Sequence, residues 1–209
     1  MVSAHLDHLV VAAATLGQGR SWVEEQLRVP MEDGGRHEAF GTHNALLRLG
    51  SSGYLEVIAV DPEAPTPGRA RWFELDSPRM AERLAAGPAL VHWVVRVSRG
   101  VLEGADPVHG EPLALSRGAN RWTLTVSEGG SLQMGGVLPS LIAWDTPPPA
   151  RGLPDRGVEL RQLALATPEP GGLRSRLEAL DLVEPPLVVA ADRPSLKAVL
   201  QTPTGLVSV

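Results

Sequence analysis

The sequence predicts an α+β protein built from repeated β-α-β-β-β units. Short stretches rich in apolar and β-branched residues are punctuated by glycine and proline, which is typical of strands. The order of strand, helix and further strands recurs along the 209 residues. The segments "LDHLVVAA" (6–13) and "LVHWVVRV" (90–97) also place a histidine at the same point of a strand-like pattern. Repetition of one unit explains these observations together.

The first unit has all the expected elements within about sixty residues. "HLDHLVVAA" predicts a strand, and "GQGRSWVEEQLRVP" predicts a helix with Trp22, Val23 and Leu27 on one face and Pro30 at its end. "EAFGTHNALLRLG" and "GYLEVIAVDP" predict two strands separated by the turn "SSG".

A connecting helix at about residues 70–86 leads into the second unit. Ser77 can cap its free N–H groups, Pro78 suits its first turn, and Gly87-Pro88 ends it. "ALVHWVVRVS" then predicts a strand, "RGVLEGAD" a short helical turn, and "EPLALSRG", "NRWTLTV" and "LPSLIAWD" further strands. Residues 1–146 are therefore expected to hold two paired units.

A third unit is expected at residues 158–209, after a proline-rich linker at 147–157. It begins with the strand "VELRQLALAT", followed by the helical "EPGGLRSRLEALDL" and three short strand patterns. A lone unit leaves apolar surface and open strands, so it should cover a sheet edge or pair with another chain as a homodimer.

The register between the first two units is constant. His8 and His92 are 84 positions apart, and so are Glu56 and Ser140. Because side chains alternate faces along a strand, a fixed offset gives the same side-chain direction in both units. Gln162 takes the histidine position in the third unit, which therefore lacks the imidazole.

Pairing of the two units about a pseudo-twofold axis would direct His8, Glu56, His92 and Ser140 into one concavity. Two imidazoles and a carboxylate are the ligands of a 2-His-1-carboxylate metal site, which suits divalent iron, manganese, zinc or nickel. The alternative is that these histidines are hydrogen-bonded core residues on half-buried strands.

Composition excludes several classes of protein. The formal net charge is -5 with dispersed Lys and Arg, which argues against nucleic-acid binding. No apolar run is long enough for a membrane span, and His5, Asp7 and His8 interrupt the only N-terminal apolar stretch, which makes a poor signal peptide. The absence of cysteine fits a reducing compartment, so a cytoplasmic location and a small-molecule partner are expected.

The repeated unit, with histidine on its first strand and glutamate on its last, resembles the vicinal oxygen chelate superfamily of glyoxalases, bleomycin-resistance proteins and extradiol dioxygenases. "LDHLVVAA", "GGRHEAFGTHNALLRLG", "YLEVIAVDP" and "LPSLIAWD" resemble its glyoxalase-like domain group more narrowly. The resemblance implies a cupped, barrel-like mixed sheet with helices outside. It also implies a divalent metal held by His8, Glu56 and His92.

The sequence departs from this resemblance at Ser140, where metal-dependent glyoxalases would place a carboxylate. Two functions are therefore expected as alternatives. The first is a metal-dependent lyase, isomerase or dioxygenase that acts on a small oxygen-chelating substrate through an enolate-type intermediate. The second is a metal-free protein of the same fold that binds or sequesters a small molecule.

Six side chains are candidates for contact with a substrate. Glu56 is a metal ligand or a catalytic base, and His37 is a candidate catalytic residue in a glycine-bearing loop. Thr42 and Asn44 lie at the start of the following strand, where Asn44 and His43 cannot both face inward. The strand position of Arg96 matches the face of His92, so it is a candidate substrate-binding residue; the alternative is a guanidinium at the strand end that reaches solvent. Ser140 replaces the fourth ligand and is also a candidate substrate-binding residue.

Overall fold

A computed structural model describes residues 4–209, which form twelve strands and four helices. The strands are β1 (His5–Ala12), β2 (Glu32–His37), β3 (Thr42–Leu49), β4 (Gly53–Val60), β5 (Ala89–Arg96), β6 (Glu111–Arg117), β7 (Asn120–Val126), β8 (Ser140–Trp144), β9 (Glu159–Thr167), β10 (Leu187–Ala190), β11 (Ser195–Thr202) and β12 (Gly205–Ser208). The helices are α1 (Leu16–Leu27), α2 (Pro78–Ala85), α3 (Arg99–Glu103) and α4 (Pro170–Glu178).

The first eight strands form one sheet in the order β2-β3-β4-β1-β5-β8-β7-β6. Each of the first two units places its first strand parallel to its last strand, and the two first strands, β1 and β5, pair antiparallel in the middle. The sheet curls strongly into a half-barrel with helices outside. The predicted α+β class and the curled mixed sheet with helices outside are confirmed.

Side-chain alternation separates the two faces of this sheet. On β1, Val10 and Ala12 belong to an apolar cluster on the concave face, whereas Leu9 and Val11 belong to the larger core on the opposite face. His8 has the same parity as Val10 and therefore faces the concave side. The pleat of β1 thus carries the histidine into the interior of the cup.

The connecting helix is shorter than the expected 70–86, since it begins only at Pro78, but it has the predicted caps. The Ser77 hydroxyl accepts a hydrogen bond from the backbone N–H of Met80 at 3.0 Å, and Pro78 occupies the first turn. The helix ends at Ala85, before the glycine and proline that were expected to stop it. Across residues 4–209, no helix combines the length and the apolar character needed to cross a membrane.

One strand lies where the sequence suggested a loop. Residues Glu32–His37, which include the two adjacent glycines, pair antiparallel with β3. Residues Glu38–Phe40 form a 3-10 turn, so β3 starts only at Thr42 rather than at Glu38. The segment "EDGGRH" has no apolar alternation, and pairing with β3 holds it in the sheet.

The third unit has the predicted element order and a different strand pairing. β9 pairs parallel with β10 and antiparallel with β11, whereas β1 pairs parallel with the last strand of its unit. In the large sheet, β1 lies beside β5, the first strand of the other unit; in the small sheet, the neighbours of β9 are β10 and β11 of its own unit. β11 packs against β5 in the middle of the large sheet, so the unit covers the outer face of the sheet rather than its edge. The division at residues 147–157 stays a prediction.

Candidate functional site

A cavity opens on the concave face, between the two paired units. Its empty volume is about 390 Å³, part of which is open to solvent. The first unit, the second unit and the connecting segment all contribute to its walls: His8, His37, Asn44, Tyr54, Glu56, Trp72, Phe73, Arg117, Trp122, Leu124, Ile142 and Trp144.

His8 and Glu56 lie side by side in this cavity because β1 and β4 are paired neighbours. The distance from His8 Nε2 to Glu56 Oε2 is 3.6 Å, and both residues are buried at 5% exposure. This distance exceeds that of an N–H···O hydrogen bond. The two atoms are therefore near neighbours on the cavity wall without a direct hydrogen bond between them.

Asp7 fixes the orientation of the His8 ring. Its Oδ1 lies 2.8 Å from His8 Nδ1, while its Oδ2 accepts a hydrogen bond from Trp144 Nε1 at 3.0 Å. A carboxylate at Nδ1 holds the proton on that nitrogen and leaves Nε2 toward the cavity. The ring also stacks on Tyr54 with centroids 4.6 Å apart. Burial, together with the charge of Asp7, raises the pKa of Tyr54 well above its usual value, so the phenol stays neutral.

Asn44 holds Glu56 from the other side. Its Nδ2 donates to Glu56 Oε1, and its Oδ1 accepts from the backbone N–H of Gly35 at 2.9 Å. A Cβ at Gly34 would lie 2.0 Å from Asn44 Oδ1, so a side chain at residue 34 would displace the amide. The two adjacent glycines of β2 therefore make room for the residue that positions the carboxylate.

His37 lies next to Asn44 as a neutral imidazole. Its Nε2 accepts a hydrogen bond from Arg117 Nη1 at 3.0 Å, which leaves the proton on Nδ1 for donation to Thr42 Oγ1 at 3.2 Å. Burial and then the Arg117 charge lower the pKa of His37 to about 3. Both ring nitrogens have partners, so the structure favours a supporting position for His37 and Thr42; the catalytic role of His37 stays a prediction.

His92 lies outside this cavity, in a neighbouring pocket with Ser140. Its Nε2 accepts the backbone N–H of Ser140 at 3.1 Å, so its Nδ1–H donates to the carbonyl of Gly136 at 3.1 Å. Burial lowers the pKa of His92 to about 3. Gly136 has φ 98°, and a Cβ there would lie 2.1 Å from the carbonyl oxygen of Val91, so only glycine allows this approach.

The expected metal ligands do not converge. His8 and Glu56 are adjacent, but both nitrogens of His92 are engaged by backbone groups. Within residues 4–209, no group of three His, Asp or Glu side chains has the geometry of a metal site. The residues present therefore do not fit a three-ligand site for iron, manganese, zinc or nickel.

Two other candidates also lie outside the cavity. Arg96 extends from the end of β5 into surface grooves, where its Nη1 is 3.9 Å from Asp7 Oδ2. At the strand end, its long side chain reaches solvent instead of the interior. His43 does not line the cavity, whereas Asn44 does, as strand alternation requires.

Paired β-α-β-β-β units around a cavity, with histidine on the first strand and glutamate on the last, define a protein of the vicinal oxygen chelate superfamily. The chain belongs to the glyoxalase-like domain family, whose sequence profile matches residues 6–180. A search of the curated proteins finds no match.

Solved structures share the fold at low sequence identity. A hypothetical protein from Staphylococcus aureus is 14% identical with a TM-score of 0.59, and the match covers 98% of this chain and 84% of that one. A mutant of 4-hydroxymandelate synthase from Streptomyces coelicolor is 16% identical with a TM-score of 0.51, over 100% of this chain and 62% of that one. These similarities establish the fold alone.

Sequence reasoning missed three residues of the site. Asp7 and Tyr54 flank His8, and Arg117 enters from the second unit. A charged residue inside the apolar run of β1 was a usable signal for Asp7, and Tyr54 has the same strand parity as Glu56. Arg117 is 73 positions from Asn44, and no local pattern connects the two residues.

Proposed function

We propose that this protein is an enzyme that moves a proton at a carbon next to the carbonyl group of a small molecule, with Glu56 as the base. The observation that supports this most is the buried pair of Glu56 Oε2 and His8 Nε2, which face each other across 3.6 Å in a cavity. Such a pair is oriented for proton transfer to or from a third molecule.

The energetic cost of this pair supports a functional role. Burial of a carboxylate beside an imidazole in an apolar surrounding is unfavourable unless each group has partners. The protein supplies partners on the outer sides only: Asp7 for His8, and Asn44 for Glu56. His8 Nε2 and Glu56 Oε2 face the cavity, as expected of a preorganised acid–base site.

The proposed step conserves atoms and electrons. Glu56 Oε2 takes a proton from the substrate carbon, and the electron pair of the broken C–H bond moves into the enolate. Return of the proton to the same carbon gives exchange or inversion, and return to a neighbouring atom gives an isomer. His8 Nε2, 3.6 Å from Glu56 Oε2, faces the same substrate from the neighbouring strand.

Aromatic side chains around the pair support the same chemistry. Trp72, Trp122 and Trp144 form apolar walls, with the rings of Trp122 and Trp144 5.3 Å apart. Exclusion of water by such walls strengthens electrostatic interactions with a developing enolate. Asn44 and Asp7 meanwhile keep the two proton-transfer groups in place.

A binding protein without catalysis is the second candidate. The engagement of His92 by the backbone of Gly136 and Ser140 favours it, because half of the duplicated site has no free imidazole nitrogen. In that case the same cavity would hold a ligand without altering it.

Deuterium exchange separates the two candidates. Pyruvate, 2-oxobutanoate and methyl pyruvate are incubated with chelator-treated protein in D₂O, and loss of the C–H signal next to the carbonyl is followed by proton NMR. We expect at least one compound to exchange about 100-fold faster than in buffer, the lower range for general base catalysis. Reloading with iron, manganese, zinc or nickel should not raise the rate further, because the three-ligand set is not assembled.

Glu56→Gln is the test variant, and Glu25→Gln is its matched control, because Glu25 is an exposed residue of α1. The first should lose the exchange and the second should keep it. Binding of a compound without exchange in the wild-type protein would support the binding protein and overturn the proposed enzyme.

A further inference from the structure

Arg117 brings a positive charge into the cavity without an acidic partner. It is the last residue of β6, in the second unit, and it lines the cavity in contact with the first unit. Across residues 4–209, no carboxylate lies within ion-pair distance of its guanidinium, although eleven ion pairs occur among other residues of the described chain. A cation that faces a cavity and lacks a counter-charge is suited to an anionic ligand.

The hydrogen bonds of Arg117 leave one edge of the guanidinium free. Nη1 donates to His37 Nε2 and to Asn44 Oδ1, both at 3.0 Å. Nε and Nη2 donate to no side chain or backbone atom of the described chain. These two nitrogens form the edge that binds the two oxygens of a carboxylate side by side.

Gly35 provides the space for this side chain. A Cβ at residue 35 would lie 3.0 Å from Arg117 Cδ and 3.3 Å from Nε. The guanidinium therefore lies against bare backbone of β2, where its neutral partners His37 and Asn44 fix its position. Both partners accept through neutral atoms, so the positive charge stays uncompensated.

We propose that Arg117 binds the carboxylate of the substrate and thereby makes small carboxylic acids with an acidic C–H bond the substrate class of this site. The inference rests on the proposed function, since it concerns the same cavity. Asn44 links the two groups: its Oδ1 accepts from Arg117 and its Nδ2 donates to Glu56. Only the Asn44 carboxamide thus separates the Arg117 guanidinium from the Glu56 carboxylate, a spacing suited to a small oxo acid.

Calorimetric titration of the full chain tests this proposal. The probes are pyruvate, its uncharged analogue methyl pyruvate, and inorganic phosphate. We expect pyruvate to bind more tightly than either. Arg117→Gln should weaken pyruvate about 10- to 100-fold, the range for hydrogen bonds to charged groups, and leave methyl pyruvate within about twofold.

Two variants control for charge and folding. Arg121→Gln removes an exposed arginine of the adjacent strand β7 and should leave pyruvate affinity unchanged. Arg117→Lys keeps the charge without the two-nitrogen edge and should give an intermediate loss. If Arg117→Gln still binds methyl pyruvate, its cavity is intact. If that variant binds neither ligand, the pyruvate affinity of Arg117→Lys tests the proposal instead.

Three results would overturn the proposal: equal pyruvate affinity in wild type and Arg117→Gln, no pyruvate binding by the wild type, or tighter binding of phosphate. Its failure is distinguishable from that of the proposed function. Proton exchange that persists in Arg117→Gln with unchanged affinity refutes only the carboxylate anchor. Arginine-dependent binding without exchange refutes only the catalysis.

Discussion

Replacement of Asn44 by leucine should destabilise the protein and release Glu56. The amide makes three hydrogen bonds, to Gly35, Glu56 and Arg117, and leucine has a similar shape without any of them. Loss of the donor to the Glu56 carboxylate costs about 1.5–3 kcal/mol, and loss of the acceptor for Gly35 N–H costs about 1 kcal/mol. Arg117 can turn toward solvent, so its lost bond adds little.

The expected loss in unfolding free energy is therefore about 3 kcal/mol, which for a chain of this length lowers Tm by about 6–12 °C. Urea unfolding followed by tryptophan fluorescence measures the first quantity, and calorimetry measures the second. Asn120→Leu is the matched control, because its side chain makes no hydrogen bond within the described chain and should change stability by less than about 0.5 kcal/mol. A loss below about 1 kcal/mol for Asn44→Leu would refute the role of its amide.

Three further predictions concern stability. The pKa values of His37 and His92 are about 3 in the folded chain and about 6.5 in the unfolded chain, so the unfolded state takes up protons first as the pH falls. We therefore expect the free energy of unfolding to fall by about 2 kcal/mol per histidine between pH 7 and pH 5. Urea unfolding measures this change, and a stability that does not vary with pH would contradict it. Gly136→Ala should cost at least about 2 kcal/mol because the new Cβ meets the Val91 carbonyl, whereas Gly100→Ala, in open space, should cost nothing; equal thermal midpoints would argue against that contact. Ser77→Ala should cost about 1 kcal/mol by loss of the helix cap, seen as a lower urea midpoint, and Ser77→Asp should restore it.

The paired units were predictable because their signal is a repeat in register. His8 and His92 occupy equivalent positions of first strands, and Glu56 and Ser140 occupy equivalent positions of last strands. These strands are apolar and central, so their pattern is strong. The strand at Glu32–His37 was missed because it is an edge strand without apolar alternation, and its pairing with β3 is a tertiary effect.

Only the part of the site that the first unit contributes was predictable from the sequence. His8, Glu56 and Asn44 were expected to be close and are, because strand parity and neighbouring strands determine their positions. The expected convergence of His92 failed for a reason that side-chain patterns do not reveal: backbone groups of Gly136 and Ser140 bind both of its nitrogens. The roles of these residues in catalysis stay predictions.

The measurement that tests the central claim most directly is the rate of deuterium incorporation into a bound oxo acid by wild type and Glu56→Gln, side by side at saturating ligand. We expect the variant to bind the acid as before and to lose at least about 100-fold in exchange rate, because only the base is removed. Equal exchange rates in the two proteins would contradict the assignment of Glu56 as the base.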